Sequence, residues 1–212
     1  ISGTTYLILS RKRYCVSLMP LASIPATDPQ LQWGRRKSII LFLLAEFNSL
    51  NYLPYQMQGM DISTLDLRKS DLRKAKLHGL DFSDMDLTGA NLSGVSLKGS
   101  NFNGAILRNA NLSGAQMDGF RDRHNKLFIV SMIGADLQGA DLSKSSVKQA
   151  DFTGSNLTKA NLSGAILRNA CFRNSILSEA NLEGADLSKV FFAGANMKGA
   201  NLNHTDCQGT KF

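Results

Sequence analysis

Large apolar residues recur at every fifth position along most of this chain. From Ile62 the series runs Leu67, Leu72, Leu77, Phe82, Leu87, Leu92, Leu97, Phe102, Leu107, Leu112, Met117. It continues through Leu137, Leu142, Val147, Phe152, Leu162, Phe172, Leu182, Phe192 and Cys207 to Phe212, and only Asp122 within it is polar. Two residues before each large one the chain is mostly small, as at Ala90, Ala105, Ala110, Ala140, Ala160, Ala180 and Ala200. Asp or Asn most often sits between the two, as at Asp61, Asp71, Asn91, Asn111, Asp141, Asn161 and Asp186. Of the 18 glycines, all but Gly3 and Gly34 fall two residues after the large position.

A period of five matches neither a helix of 3.6 residues per turn nor a strand of two. It matches a chain that turns a corner every five residues. Four such sides make a coil of about twenty residues, and stacked coils pair their backbones at about 4.8 Å. One large and one small residue per side point inward. Gly at the corner accepts backbone angles that other residues resist. Asp or Asn before the large residue holds the turn by bonding local backbone. Each buried Leu contributes roughly 1.5–3 kcal/mol.

The motif Ala-Asp/Asn-Leu, as at 90–92, 140–142 and 180–182, resembles the pentapeptide-repeat family over residues 57–212. The resemblance implies an all-β solenoid, specifically a right-handed quadrilateral β-helix. Relatives often pair end to end, which implies a homodimer through the C-terminal coil, where the repeat runs to Phe212. Some relatives modulate DNA gyrase by imitating duplex DNA with an acidic rod. The family also supplies repeat modules of secreted bacterial effectors.

Counting in twenties places Phe152, Phe172, Phe192 and Phe212 in one core ladder, and Phe82 and Phe102 in a ladder on a neighbouring face. It also places Arg108, Lys148 and Arg168 on one outer face as a basic stripe. Residues 104–110 recur at 164–170, an offset of three whole coils on that count. The pattern is irregular at 118–131, although Leu127 and Met132 return in phase. The break is expected to be either one distorted coil or a loop whose length is a multiple of five. As a loop it offers Phe120, Arg121, Arg123, His124, Lys126 and Phe128 as a basic-aromatic contact surface.

Residues 1–56 carry no repeat. Asp28 before Pro29 is a helix-start signal. The apolar stretch from Ser38 to Phe47 reads as a short N-terminal helical cap near 36–48, covering the open first coil. A membrane-surface role for Arg35, Arg36 and Lys37 with that stretch is the alternative. The longest apolar run, Ile39 to Ala45, is far short of the roughly 18 residues of a membrane span.

The formal net charge is +7. Much of it precedes the repeat, where Arg11, Lys12, Arg13, Arg35, Arg36 and Lys37 face only Asp28 and Glu46. A positive rod is a poor imitation of DNA, and its interleaved acids argue against nucleic acid as the partner. Cys15, Cys171 and Cys207 are widely spaced, which suggests neither a disulfide framework nor a zinc site. Cys207 falls at an inward position and is expected in the core, and Cys171 at an Asp/Asn position. His78 and His204 fall outward. Asp81 and Asp86 lie on different sides of a coil and cannot pair as catalytic carboxylates. No phosphate-binding loop, catalytic triad, metal site or cofactor site is expected. The expectation is a non-catalytic, cytoplasmic scaffold for an unidentified protein partner.

Overall fold

The computed structural model describes residues 8–11, 14–17, 66–73 and 77–212. The chain divides into two compact units, Ile1–Ile40 and Leu41–Phe212. In the first unit β1 (Ile8–Arg11) pairs antiparallel with β2 (Tyr14–Ser17), from Ile8 opposite Ser17 to Arg11 opposite Tyr14. The helical cap expected near 36–48 lies outside the described residues.

Among the described residues of the second unit from Asp71 on, outside 118–131, every fifth residue bridges in parallel to a neighbouring coil. One column runs Asp141, Asn161, Asn181, Asn201, at intervals of 20 residues. The four bridge columns are the four sides of a coil. Each side gives and takes backbone bonds: Leu142 N–H donates to Asn161 C=O at 2.7 Å, and Asn161 N–H donates to Ala140 C=O at 2.9 Å. At each corner the chain closes a four-residue turn, such as Ala90 N–H to Leu87 C=O at 2.9 Å. The third residue of that turn, Gly89, has φ 68°, the left-handed angle a type II turn requires. The preceding Asp86 accepts Thr88 N–H on Oδ1 at 2.9 Å. Five-residue spacing therefore becomes a corner through two local bonds and one residue tolerant of positive φ.

The interior is four columns of side chains. One carries Leu72, Leu92, Leu112, Leu142, Leu162 and Leu182, each at most 1% exposed. Four buried serines at the small position, Ser100, Ser145, Ser155 and Ser175, bond carbonyls, as Ser155 Oγ does with Phe152 C=O at 2.7 Å, whereas Ser70 Oγ has no partner among the described residues. A buried hydroxyl without such a partner would be costly.

Across 118–131 the interval becomes 30: Asn101 bridges Ser131, Ile106 bridges Asp136, Asn111 bridges Asp141 and Gln116 bridges Ser146. Ten residues are thus looped out at one corner, and the second of the two expected alternatives holds. Leu127 does not return inward; it is 39% exposed, whereas Met132 is fully buried.

Ten residues are half a coil, so every count carried across the loop shifts by two sides. Phe82 and Phe102 belong to the same column as Phe152, Phe172, Phe192 and Phe212, with Met132 between them, as the bridges Asp81–Asn101–Ser131–Asp151–Cys171–Phe191–Lys211 require. They do not form a separate ladder on a neighbouring face. Phe82 stacks on Phe102 at 4.8 Å, and Phe152 on Phe172 at 4.6 Å with rings 2° from parallel. Arg108 lies two sides away from Lys148 and Arg168, so the basic stripe does not exist. The segments 104–110 and 164–170 likewise sit on opposite sides of the rod.

Candidate contact hairpin at the broken corner

The ten looped-out residues form a hairpin. Residues Phe120–Arg121 (β3) pair antiparallel with Leu127–Phe128 (β4). The tip follows from its sequence. Asp122 accepts Asn125 N–H on its carbonyl at 2.9 Å, and Asn125 takes φ 62°. A turn followed by a left-handed residue is a favoured three-residue hairpin loop, and Asn tolerates that angle. Asp122 Oδ1 accepts both His124 N–H at 2.8 Å and Lys126 N–H at 2.9 Å. The one acid between Gly119 and Val130 is therefore spent on the turn, and the hairpin's outward charge is positive.

Its six candidate contact residues come together as follows. Phe120 and Phe128 stack at 5.2 Å, and Lys126 Nζ sits 5.1 Å from the Phe128 centroid. Arg121 donates to Asn125 C=O at 2.8 Å, and Arg123 Nε donates to His124 Nε2 at 3.0 Å. Arg121, Arg123, His124 and Lys126 are exposed. The Phe pair packs against Gly99 at the same corner one coil earlier. A Cβ on Gly99 would lie 2.8 Å from Phe120 Cε1 and 3.3 Å from Phe128 Cβ. A side chain at Gly99 would push the hairpin off the rod.

Two side chains that the sequence did not single out tie down the hairpin's ends. In a regular coil the residue before the large position supplies the turn acceptor. Flanking the hairpin that slot holds Ser131 and Ser146, which are too short for the role. Asn103 reaches across from the preceding coil, and its Oδ1 accepts Ser131 Oγ at 2.6 Å and Ile133 N–H at 2.9 Å. Asp118 does the same for Ser146 Oγ at 2.6 Å and Lys148 N–H at 3.1 Å, with Lys148 Nζ 3.4 Å from Oδ2. Burial acts to raise the Asp118 pKa. The bonds from Ser146 and the Lys148 N–H, with the Lys148 cation, outweigh it and hold the carboxyl below its ordinary value. The missing Asp/Asn at 131 and 146 was the available signal.

The remaining chemically capable residues are scattered. His204 is exposed at a corner. Cys171 is half-buried beside Thr153 Oγ1 at 3.4 Å. Cys207 is exposed rather than in the core, because its inward column ends at the last coil described. Among the described residues no three His, Cys, Asp or Glu gather as a metal site would require, and no helix is long and apolar enough to cross a membrane.

Comparison with curated proteins gives no match. Solved structures with similarity include the plasmid-mediated fluoroquinolone resistance protein QnrB1, at 22% identity over 66% of this chain and 69% of that one, with a TM-score of 0.45. HetL, a pentapeptide repeat protein involved in heterocyst differentiation regulation in the cyanobacterium Nostoc, shares 28% identity over 69% of this chain and 82% of its own, with a TM-score of 0.31. A pentapeptide repeat protein of the Arabidopsis thaliana thylakoid lumen shares 27% over 58% and 66%, with a TM-score of 0.19. The pentapeptide-repeat profile matches residues 58–89, 86–121, 132–174 and 175–212, in eight copies. It takes up the coils on both sides and passes over 122–131 within the hairpin, and by those coils this chain belongs to the pentapeptide repeat family.

Proposed function

We propose that this protein is a non-catalytic scaffold whose 118–131 hairpin contacts a protein partner. The observation that carries the reading is the state of the hairpin's charges. Arg121, Arg123 and Lys126 project from a tied, stacked hairpin with no carboxylate partner among the described residues, while the local acid is committed to backbone. Several cations elsewhere on the rod are paired: Arg108 with Asp136 at 2.6 Å, Arg168 with Asp186, and Lys159 with Glu179 at 3.6 Å. The interior is filled by Leu, Phe and Ala and offers no cleft for a substrate. The division into a non-repeat segment, 1–56, and a repeat rod, 57–212, belongs to this proposal.

The DNA-mimic reading asks for an uninterrupted acidic face. The acids Asp136 and Asp186, each ion-paired to an arginine, speak against it. For the effector reading no feature of the rod is required. A second copy stacked on the last coil described belongs to this proposal as its homodimer reading.

The test is capture of partners by the full chain and by a chain lacking residues 120–129, which leaves Gly119 joined to Val130 in regular phase. A protein retained by the first and not by the second is the expected result. Equal retention by both would place the contact elsewhere. A monomer by light scattering at high concentration would remove the second copy.

A further inference from the structure

The described arginines fall into two groups. Arg68, Arg73, Arg108 and Arg168 each pair with an Asp. Arg121, Arg123 and Arg173 have no carboxylate partner among the described residues. Two of these three are in the hairpin. The third stands on the outer surface of the side whose interior is the phenylalanine column. The hairpin leaves the rod at one edge of that same side, so the unpaired arginines all border one face.

That face also breaks the repeat's own rule. The slot before the large residue, most often Asp or Asn but also Ile at 106, 166 and 176, here holds the aromatic Phe191, and its outward ring lies between two cations. Arg173 Cζ is 5.6 Å from the ring centroid and Lys211 Nζ is 5.3 Å from it. Lys211 also lacks a carboxylate partner among the described residues. The slot does not need a phenylalanine for folding. At the equivalent place in other coils Asn or Asp closes the turn, as Asn181 does by accepting Glu183 N–H at 3.1 Å. A residue that gives up that bond and leaves an aromatic facing outward conflicts with local structure, and such conflicts concentrate where function overrides it. Aromatic rings and arginines are also the side chains that anchor protein interfaces.

We propose that the outer face from the hairpin to Lys211 is a docking surface for an acidic protein segment, with Phe191 as its apolar anchor and Arg173 and Lys211 as its carboxylate contacts. The Phe191 cluster stands apart from the hairpin reading, because it rests on residues two to four coils beyond the hairpin's return at Ser131. Charge selects an acidic partner, and the ring selects protein over nucleic acid. Base stacking needs a free aromatic face, and the cations occupy this one.

The experiment uses the full chain and a labelled ten-residue peptide of alternating Glu and Leu, with a twenty-nucleotide oligothymidylate as the comparison, both followed by fluorescence anisotropy. The variants are F191N, R173N and K211N, with K198N as a control on another side. Asn at 191 can accept the Ala193 N–H, so F191N is expected to melt at or above the wild-type temperature. Peptide affinity is expected to fall at least about fivefold in F191N and about threefold in R173N and K211N, and to stay unchanged in K198N. Excision of 120–129 is expected to leave the F191N effect in place, so failure of the hairpin reading and failure of this one are distinguishable. Absence of peptide binding by the wild type, unchanged affinity in F191N, or tighter binding of the oligonucleotide would each overturn the proposal.

Discussion

The coils and the hairpin are built on opposite principles. In a coil no single residue decides the structure. Each side repeats the same turn, and each Phe or Leu is held by its copies above and below. The hairpin has no copies. Asp122, Asn125, Gly99, Asn103 and Asp118 each do one job that no neighbour duplicates. Stability in the rod is therefore collective, as in other stacked repeats. In the hairpin it is local and hangs on a few contacts at the surface. Damage should be severe in the rod and confined in the hairpin.

The sharpest break in that comparison is one ring in each region. Phe172 is fully buried between Phe152 and Phe192, at 4.6 Å and 5.3 Å. Phe172→Ala opens a cavity that close-packed coils cannot fill, and should cost about 3–5 kcal/mol in chemical denaturation. Phe128→Ala removes a stacked pair at the surface and should cost about 0.5–1.5 kcal/mol. Comparable losses from the two would mean that the hairpin is part of the core.

Two glycines sharpen it next. Gly94 and Gly99 occupy equivalent corners with φ of 68° and 69°. An added Cβ at Gly94 meets nothing within 4 Å, whereas at Gly99 it meets Phe120 at 2.8 Å. Both alanine variants bear the left-handed strain of roughly 1–2 kcal/mol. Only Gly99→Ala should also speed amide exchange at Asp122 and Asn125, whose N–H bonds close the hairpin. Equal exchange in the two variants would show that the Phe pair does not rest on this corner.

The same contrast explains what could be read from the sequence. Five-residue sides, inward Leu and Phe, and Asp or Asn as turn acceptors were legible because the information is repeated along the chain, while the square section came with the family resemblance. The location of the break was legible as a failure of that repetition. The error came from phase. Leu127 is apolar and falls on the fifth position, so counting alone treats it as a coil residue, although it sits in β4. Because ten is a multiple of five, the loop leaves the five-residue phase intact while shifting the twenty-residue phase by half a coil. Arg108 and Lys148 then look aligned when they are two sides apart. Asn103 and Asp118 were not legible, because their partners lie 28 and 30 residues away across the break.

Asp118 separates the two regions by pH. Its folded pKa lies below the ordinary value of 3.8. Its contribution is therefore full at pH well above 3.8 and fades as the pH falls through the lowered folded value. The contribution should be about 1 kcal/mol, since the side chain is 24% exposed and partly screened. Asp118→Asn keeps the acceptor for Ser146 and the Lys148 N–H, and should flatten the acid limb of the stability curve with little loss at neutral pH. Asp118→Ala should lose that stability at neutral pH and fray the hairpin's departure from the rod, read as faster exchange at Lys148 N–H. A wild-type acid limb identical to that of Asp118→Asn would remove the carboxylate from the account.

The smallest effect on stability should come from the largest edit. Excising 120–129 joins Met117-Asp118-Gly119 to Val130-Ser131-Met132, which restores the twenty-residue interval without turning the stack. Asn103 and Asp118 keep their partners. The variant loses the Phe120 and Phe128 packing on Gly99 and gains a shorter loop closure, so its stability should change by no more than about 1 kcal/mol. Replacing the same ten residues by two regular repeats is a different experiment, although it changes fewer positions in the alignment of fives. Those ten residues would become half a coil, and Phe102 would no longer share a column with Phe152. Near-ultraviolet circular dichroism of the stacked rings should be kept by the excision and altered by the replacement. If both variants keep it, the hairpin does not account for the half-coil offset, and the single phenylalanine column is wrong.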